Sequence, residues 1–103
     1  MKKNINSDSI DRLAQAILLL RDKEECKNFL SDICTITEIQ DIAQRFDTAL
    51  MLDKGINYQA ISKEIGVSTA TISRVSRCLN YGNNGYTTVI ERYKELKGEE
   101  NAD

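Results

Sequence analysis

Along most of the chain, apolar side chains recur every three or four residues, the spacing of helices buried on one side, and the coarse reading is helix throughout. Ile10, Leu13, Ala14, Ile17, Leu18 and Leu20 outline a first helix, capped by Asp8 or Ser9 and running to about Asp22. Ala16 and Leu19 widen its apolar surface beyond one stripe. A helix apolar on more than one side needs cover on more than one side, and a chain of 103 residues has few elements to supply it. A partner subunit is the natural second surface. A short helix from Glu24 to about Ser31 follows, with Cys26, Phe29 and Leu30 inward. Thr35-x-x-Glu38 reads as a capping box, in which hydroxyl and carboxylate each satisfy a free backbone N–H at a helix start. The helix it opens offers Ile39, Ile42, Ala43, Phe46, Ala49, Leu50 and Leu52 to a core, and Gly55 is placed to stop it. Near the far end, the composition of Tyr81-Gly82-Asn83-Asn84-Gly85 marks a loop. A last helix from about Thr87 to Leu96 presents Val89, Ile90, Tyr93 and Leu96, and Lys97 to Asp103 is expected to fray.

The informative segment lies between these, from Asn57 to Leu79. Asn57 caps a helix of about two turns whose inner positions are Ile61 and Ile65. Gly66 ends it, Val67 follows as an apolar plug, and Ser68 or Thr69 caps a second helix with Ile72, Val75 and Leu79 inward. Two short helices joined by a brief turn containing Gly form the layout of a helix-turn-helix, whose second helix lies in the major groove of DNA. Small residues must sit where the helices cross, and Ser62 and Ala70 are small enough. The opposite face of the second helix carries Ser68, Thr69, Ala70, Thr71, Ser73, Arg74 and Arg77. Hydroxyls bond base edges or phosphates, methyl groups meet a thymine methyl, and arginine reaches phosphate or guanine. Lys63, on the first helix of the pair, joins them as a candidate contact.

Charge changes the picture only when divided along the chain. The formal net charge of −2 suits a nucleic-acid binder poorly. Yet residues 1–53 balance at −3, Lys54 to Asn80 at +3 and Tyr81 to Asp103 at −2. The positive charge is concentrated in the segment expected to meet phosphates.

Composition then excludes much chemistry. With no His, imidazole can serve neither as base nor as ligand, and no nucleophile, base and oxyanion set can be assembled; no catalytic residue is expected. Cys26, Cys34 and Cys78 have no zinc-site spacing and read as small buried or half-buried thiols, suited to a reduced cytoplasm. No metal or cofactor is implied. Ala14 to Leu20 is too short to span a bilayer, and no export signal is read in the N-terminal stretch. The absence of Pro leaves helices unbroken.

Three stretches carry a family resemblance: GVSTATISRVSRCL at Gly66 to Leu79, CTITEIQDIAQRF at Cys34 to Phe46, and YGNNGY at Tyr81 to Tyr86. Together they resemble the Trp repressor superfamily, in particular its YerC/YecD branch. The resemblance implies an all-α, Trp-repressor-like bundle of about six helices with a helix-turn-helix, an intertwined homodimer exchanging N-terminal helices, and a role in transcription regulation. It also implies a corepressor pocket at Arg45 and Arg74, which in that family sandwich an indole ring. Where the tryptophan-binding repressor has a glycine after the second arginine, this chain has Val75, and Cys78 stands where a serine would help hold the ligand's amino group. A branched side chain forced into a fitted pocket costs about 1–3 kcal/mol, so free tryptophan is not the expected ligand. The plainer readings, an Arg45 salt bridge with Asp41 or Asp47 and an Arg74 phosphate contact, are preferred.

The expectation is thus one domain over residues 1–103: a cytoplasmic, homodimeric, sequence-specific regulator that binds double-stranded DNA and has no membrane contact. The rival is a helical protein-interaction module without DNA readout, which would tolerate substitution of Thr69 and Ser73.

Overall fold

The computed structural model describes residues 6–101, with side chains described through Gly98. Residues 1–5 and 102–103, the ends of the N-terminal stretch and of the charged tail considered above, lie outside the described residues. Six helices occur in the order α1 (Ser7–Leu18), α2 (Lys23–Ile33), α3 (Ile36–Asp53), α4 (Tyr58–Ile65), α5 (Thr69–Tyr81) and α6 (Gly85–Asn101), and no strand is found among the described residues. The all-α architecture is therefore as expected. The chain divides into two compact units, Met1–Ile39 and Gln40–Asp103, with α3 beginning in the first and running through the second.

In the first unit, the helix boundaries are set by caps that differ from those expected. The cap of α1 is Asn6, whose side chain accepts from the Asp8 and Ser9 amides at 2.9 and 3.2 Å, so Asp8 and Ser9 are inside the helix. Nor does α1 reach Asp22. That carboxylate caps α2 by accepting from the Glu25 amide at 2.8 Å, and Glu25 reaches back to the Arg21 amide at 2.9 Å. An acidic residue so committed to starting one helix cannot end the previous one. The Thr35/Glu38 box forms in both directions, at 2.8 and 3.1 Å. No residue of α1 or α2 is buried, although Cys26, Phe29 and Leu30 are half-buried. On α1, Leu18 is 82% exposed and Leu19 77%, values unusual for side chains of that kind.

The second unit holds two clusters of buried side chains. One joins Ala49 of α3, Val75 of α5 and Ile90 of α6, with Phe46, Leu50, Leu52, Leu79 and Tyr86 against it. The other joins Ile61, Val67 and Ile72, with Met51, Leu52, Ile56 and Ile65 against it. Leu52 borders both. Phe46 meets Tyr93 edge to face, with ring centroids 5.9 Å apart, and a Lys94–Asp53 ion pair of 2.6 Å links α6 to the end of α3. Thr48, which no apolar pattern flags, is fully buried because its hydroxyl donates to the Gln44 carbonyl at 2.7 Å and so carries no unmet polar group inward.

Some expected core positions face outward. Ile42 and Ala43 on α3, and Val89 and Leu96 on α6, are exposed. Cys78 is exposed as well, unlike half-buried Cys26 and Cys34. One residue before Leu79, it sits on the flank of α5 rather than on the inward side. The last helix starts earlier and runs further than expected, to Asn101, because the stretch after Leu96 is built mostly of good helix formers. Between α5 and α6 the chain turns at Gly82. A Cβ there would collide with the Cys78 carbonyl oxygen, so only glycine lets α5 end in this way.

Candidate nucleic-acid interface

The helix pair α4–α5 is built by local signals acting in sequence. The Asn57 side chain accepts from the Ala60 amide at 2.8 Å and starts α4. Gly66 ends it in the left-handed region at φ 89°, where its amide donates to the Ser62 carbonyl at 2.8 Å. Val67 plugs inward, and the Ser62 hydroxyl donates to the Val67 carbonyl at 2.7 Å, tying the turn to α4 from behind. Ser68 then caps α5, its hydroxyl oxygen accepting from the Thr71 amide at 3.1 Å. Ile61, Val67 and Ile72 close over one another, Ile61 and Ile72 fully buried. Val75, inward as expected, belongs to the cluster with Ala49 and Ile90 and so fastens α5 to the bundle. Ser62 is half-buried at the turn as anticipated, whereas Ala70 is exposed and does not fill a helix crossing.

With the inner side of α5 committed, the outer side follows. Ser68, Thr69, Ala70, Ser73, Arg74 and Arg77 are exposed, as is Lys63 on α4. Ala70, Ser73, Arg74 and Arg77 follow the three-and-four spacing of one helix face, turned away from Ile72 and Val75. The exception is Thr71. It is half-buried, and its hydroxyl receives the Ser68 hydroxyl at 3.1 Å, so these two side chains shape the helix start rather than point freely outward.

Among the cavities around this region, two adjoin Arg45. The larger, about 620 Å³, is mostly apolar, walled by Ile42, Phe46, Val89 and Tyr86, with Arg45 and Cys78 at its side. Burial pushes the Tyr86 phenol above its ordinary range; Cys78 adds to that shift and the Arg45 guanidinium opposes it. The smaller, about 290 Å³, lies between Asp41, Gln44 and Arg45 of α3 and the turn from Gly66 to Thr71. Arg45 borders both cavities. Arg74 is among the lining residues of neither. The expected salt bridge of Arg45 with Asp41 or Asp47 is not formed, whereas Lys94 and Asp53 do pair.

Sequence reasoning missed two features here. Tyr81, taken as loop, is the last residue of α5 and stands 86% exposed beyond Arg77. The apolar cavity beside Cys78 had no signal of its own, since it is assembled from α3 and the distant α5–α6 pair.

A buried hinge beneath an outward stripe of hydroxyl, methyl and guanidinium groups is the construction of a helix-turn-helix protein. Comparison with known proteins narrows this. The chain belongs to the Trp repressor family: the family model for the Trp repressor protein matches residues 8–94. It is 50% identical over 95 residues to the uncharacterized protein YerC of Bacillus subtilis, covering 92% of this chain and 91% of that one. Among solved structures, it is similar to a TrpR-like protein from Eubacterium eligens, with a TM-score of 0.82, 48% identity, and coverage of 86% of this chain and 92% of that one. A second, from Staphylococcus aureus, has a TM-score of 0.82 at 45% identity, covering 86% and 89%. The family is one of DNA-binding regulators rather than enzymes. No described helix is long and apolar enough to cross a membrane.

Proposed function

We propose that this protein is a sequence-specific DNA-binding transcriptional regulator that acts as a homodimer in the cytoplasm, as a single helix-turn-helix domain, and does not respond to free tryptophan. The observation that carries the reading is the outward side of α5, where Thr69, Ala70, Ser73, Arg74 and Arg77 are exposed opposite a fully buried Ile72. Thr69, Ala70 and Ser73 contribute hydroxyl and methyl groups to base edges. Arg74, Arg77 and Lys63 engage phosphate or guanine, and Ser68 and Thr71 hold the helix start at the backbone.

The homodimer reading is supported by α1. Ile10, Leu13 and Ile17 share one face of that helix with no buried residue among them, and Leu18 and Leu19 are more exposed still. Covering each such side chain contributes about 1.5–3 kcal/mol, which favours a second copy as the cover. Light scattering is expected to give twice the chain mass.

For DNA binding, the test is an electrophoretic shift with genomic fragments repeated across salt concentrations. A subset of fragments is expected to shift and to resist competition by bulk DNA; failure to shift any fragment at low salt contradicts the reading.

Tryptophan is disfavoured by packing. Val75 is only 2% exposed, wedged against Ala49 and Ile90, and Arg74 lines neither of the two cavities that Arg45 borders. Calorimetric titration with L-tryptophan is expected to give no binding heat at micromolar ligand; a micromolar dissociation constant would refute this part of the proposal.

A further inference from the structure

Tyr81 has no evident work in the fold. It is the last residue of α5, 86% exposed, and no hydrogen bond or ring contact engages it among the described residues. Its position is nevertheless firmly set. The next residue, Gly82, donates its amide to the Cys78 carbonyl at 2.9 Å, closing the final turn, and a side chain at that position would collide with the Cys78 backbone. Counting along α5, Ala70, Arg77 and Tyr81 stand seven and four residues apart, so the three fall on one line opposite Ile72 and Val75.

Distance along that line decides what Tyr81 can meet. Eleven residues separate Ala70 from Tyr81, about 16 Å at the helical rise. The major groove is about 12 Å wide, so a helix whose first turns lie on the groove floor carries its last turn out to a bordering strand. We infer that Tyr81 is a further DNA contact, its phenol donating to a phosphate oxygen and its ring lying along the adjoining sugar, which positions α5 without reading sequence. This rests on the proposed DNA-binding role and extends the stripe by one turn, from the guanidinium of Arg77 to a neutral donor. A phenol suits that place because it donates a hydrogen bond to an anionic oxygen while its apolar ring covers the deoxyribose.

The test uses the full chain, unsubstituted and as Tyr81→Ala and Tyr81→Phe, titrated by fluorescence anisotropy against a genomic fragment the unsubstituted chain shifts and a scrambled duplex of equal length. Tyr81→Ala is expected to weaken both complexes by a similar factor, about tenfold, because a phosphate contact carries no sequence information. The slope of affinity against salt should stay as in the unsubstituted chain, since a neutral phenol displaces no counterion. Tyr81→Phe, keeping the ring, should fall between the two. Unchanged affinity in Tyr81→Ala overturns the contact and leaves the regulator reading intact. A loss of affinity that tracks a fall in mass by light scattering also overturns it, making Tyr81 a contact between copies. If the unsubstituted chain binds neither duplex, the DNA-binding reading itself fails, and the contact with it.

Discussion

Replacing Ile72 by alanine is expected to destabilise the protein by about 2–5 kcal/mol, the range for removing most of a buried aliphatic side chain and leaving a cavity. Ile72 is fully buried among Ile61 and Val67, and these three side chains hold α4, the turn and α5 together. Domains of this size are stable by only about 5–15 kcal/mol, so the loss is a large share of the whole. Urea unfolding followed by circular dichroism checks it: the midpoint should fall while the slope with denaturant is kept. Because α5 is oriented by the same contacts, DNA affinity should drop with stability, even though Ile72 cannot touch DNA. A midpoint equal to that of the unsubstituted chain would mean that the hinge is not closed by Ile72.

The double substitution Arg74→Ala, Arg77→Ala should do the reverse, leaving the unfolding midpoint nearly unmoved, as for exposed residues without partners, and removing most DNA affinity. Hydrogen bonds to charged groups contribute about 1.5–3 kcal/mol each, so the pair should weaken binding by about a hundredfold or more. Each phosphate contact also releases a counterion, and its loss should flatten the slope of log affinity against log salt by about 0.9. If both arginines reach phosphates, the slope changes by about twice that; if one reads a guanine, the loss is larger on shifted fragments than on scrambled DNA. Substitution with neither effect would remove α5 as the reading element.

The helix-turn-helix was legible because its signals are local. Asn57, Gly66 and Ser68 act within a few residues of their own positions, and the Ile61, Val67, Ile72 spacing reports one shared core. The Thr35/Glu38 box was readable for the same reason. Caps compete elsewhere: the apolar run points to Asp22 as the end of one helix while its carboxylate starts the next, and Asn6 captures the amides of Asp8 and Ser9, the two other capping candidates. Burial beyond the hinge was legible only in part. Ile42, Val89 and Leu96 carry the right spacing, but spacing cannot say how closely a neighbour packs opposite, and each is left about half exposed. Exposed Cys78 and the cavity beside it depend on where α3 and α6 pass, which no local pattern encodes.

Hydroxyl-radical footprinting of a shifted genomic fragment addresses the central claim most directly. Two copies of α5 related by a two-fold axis should protect two patches with mirrored sequence, their centres one helical turn of DNA apart, about 10–10.5 base pairs, and the protection should vanish with Arg74→Ala, Arg77→Ala. A single patch, or protection that persists without those arginines, would contradict it.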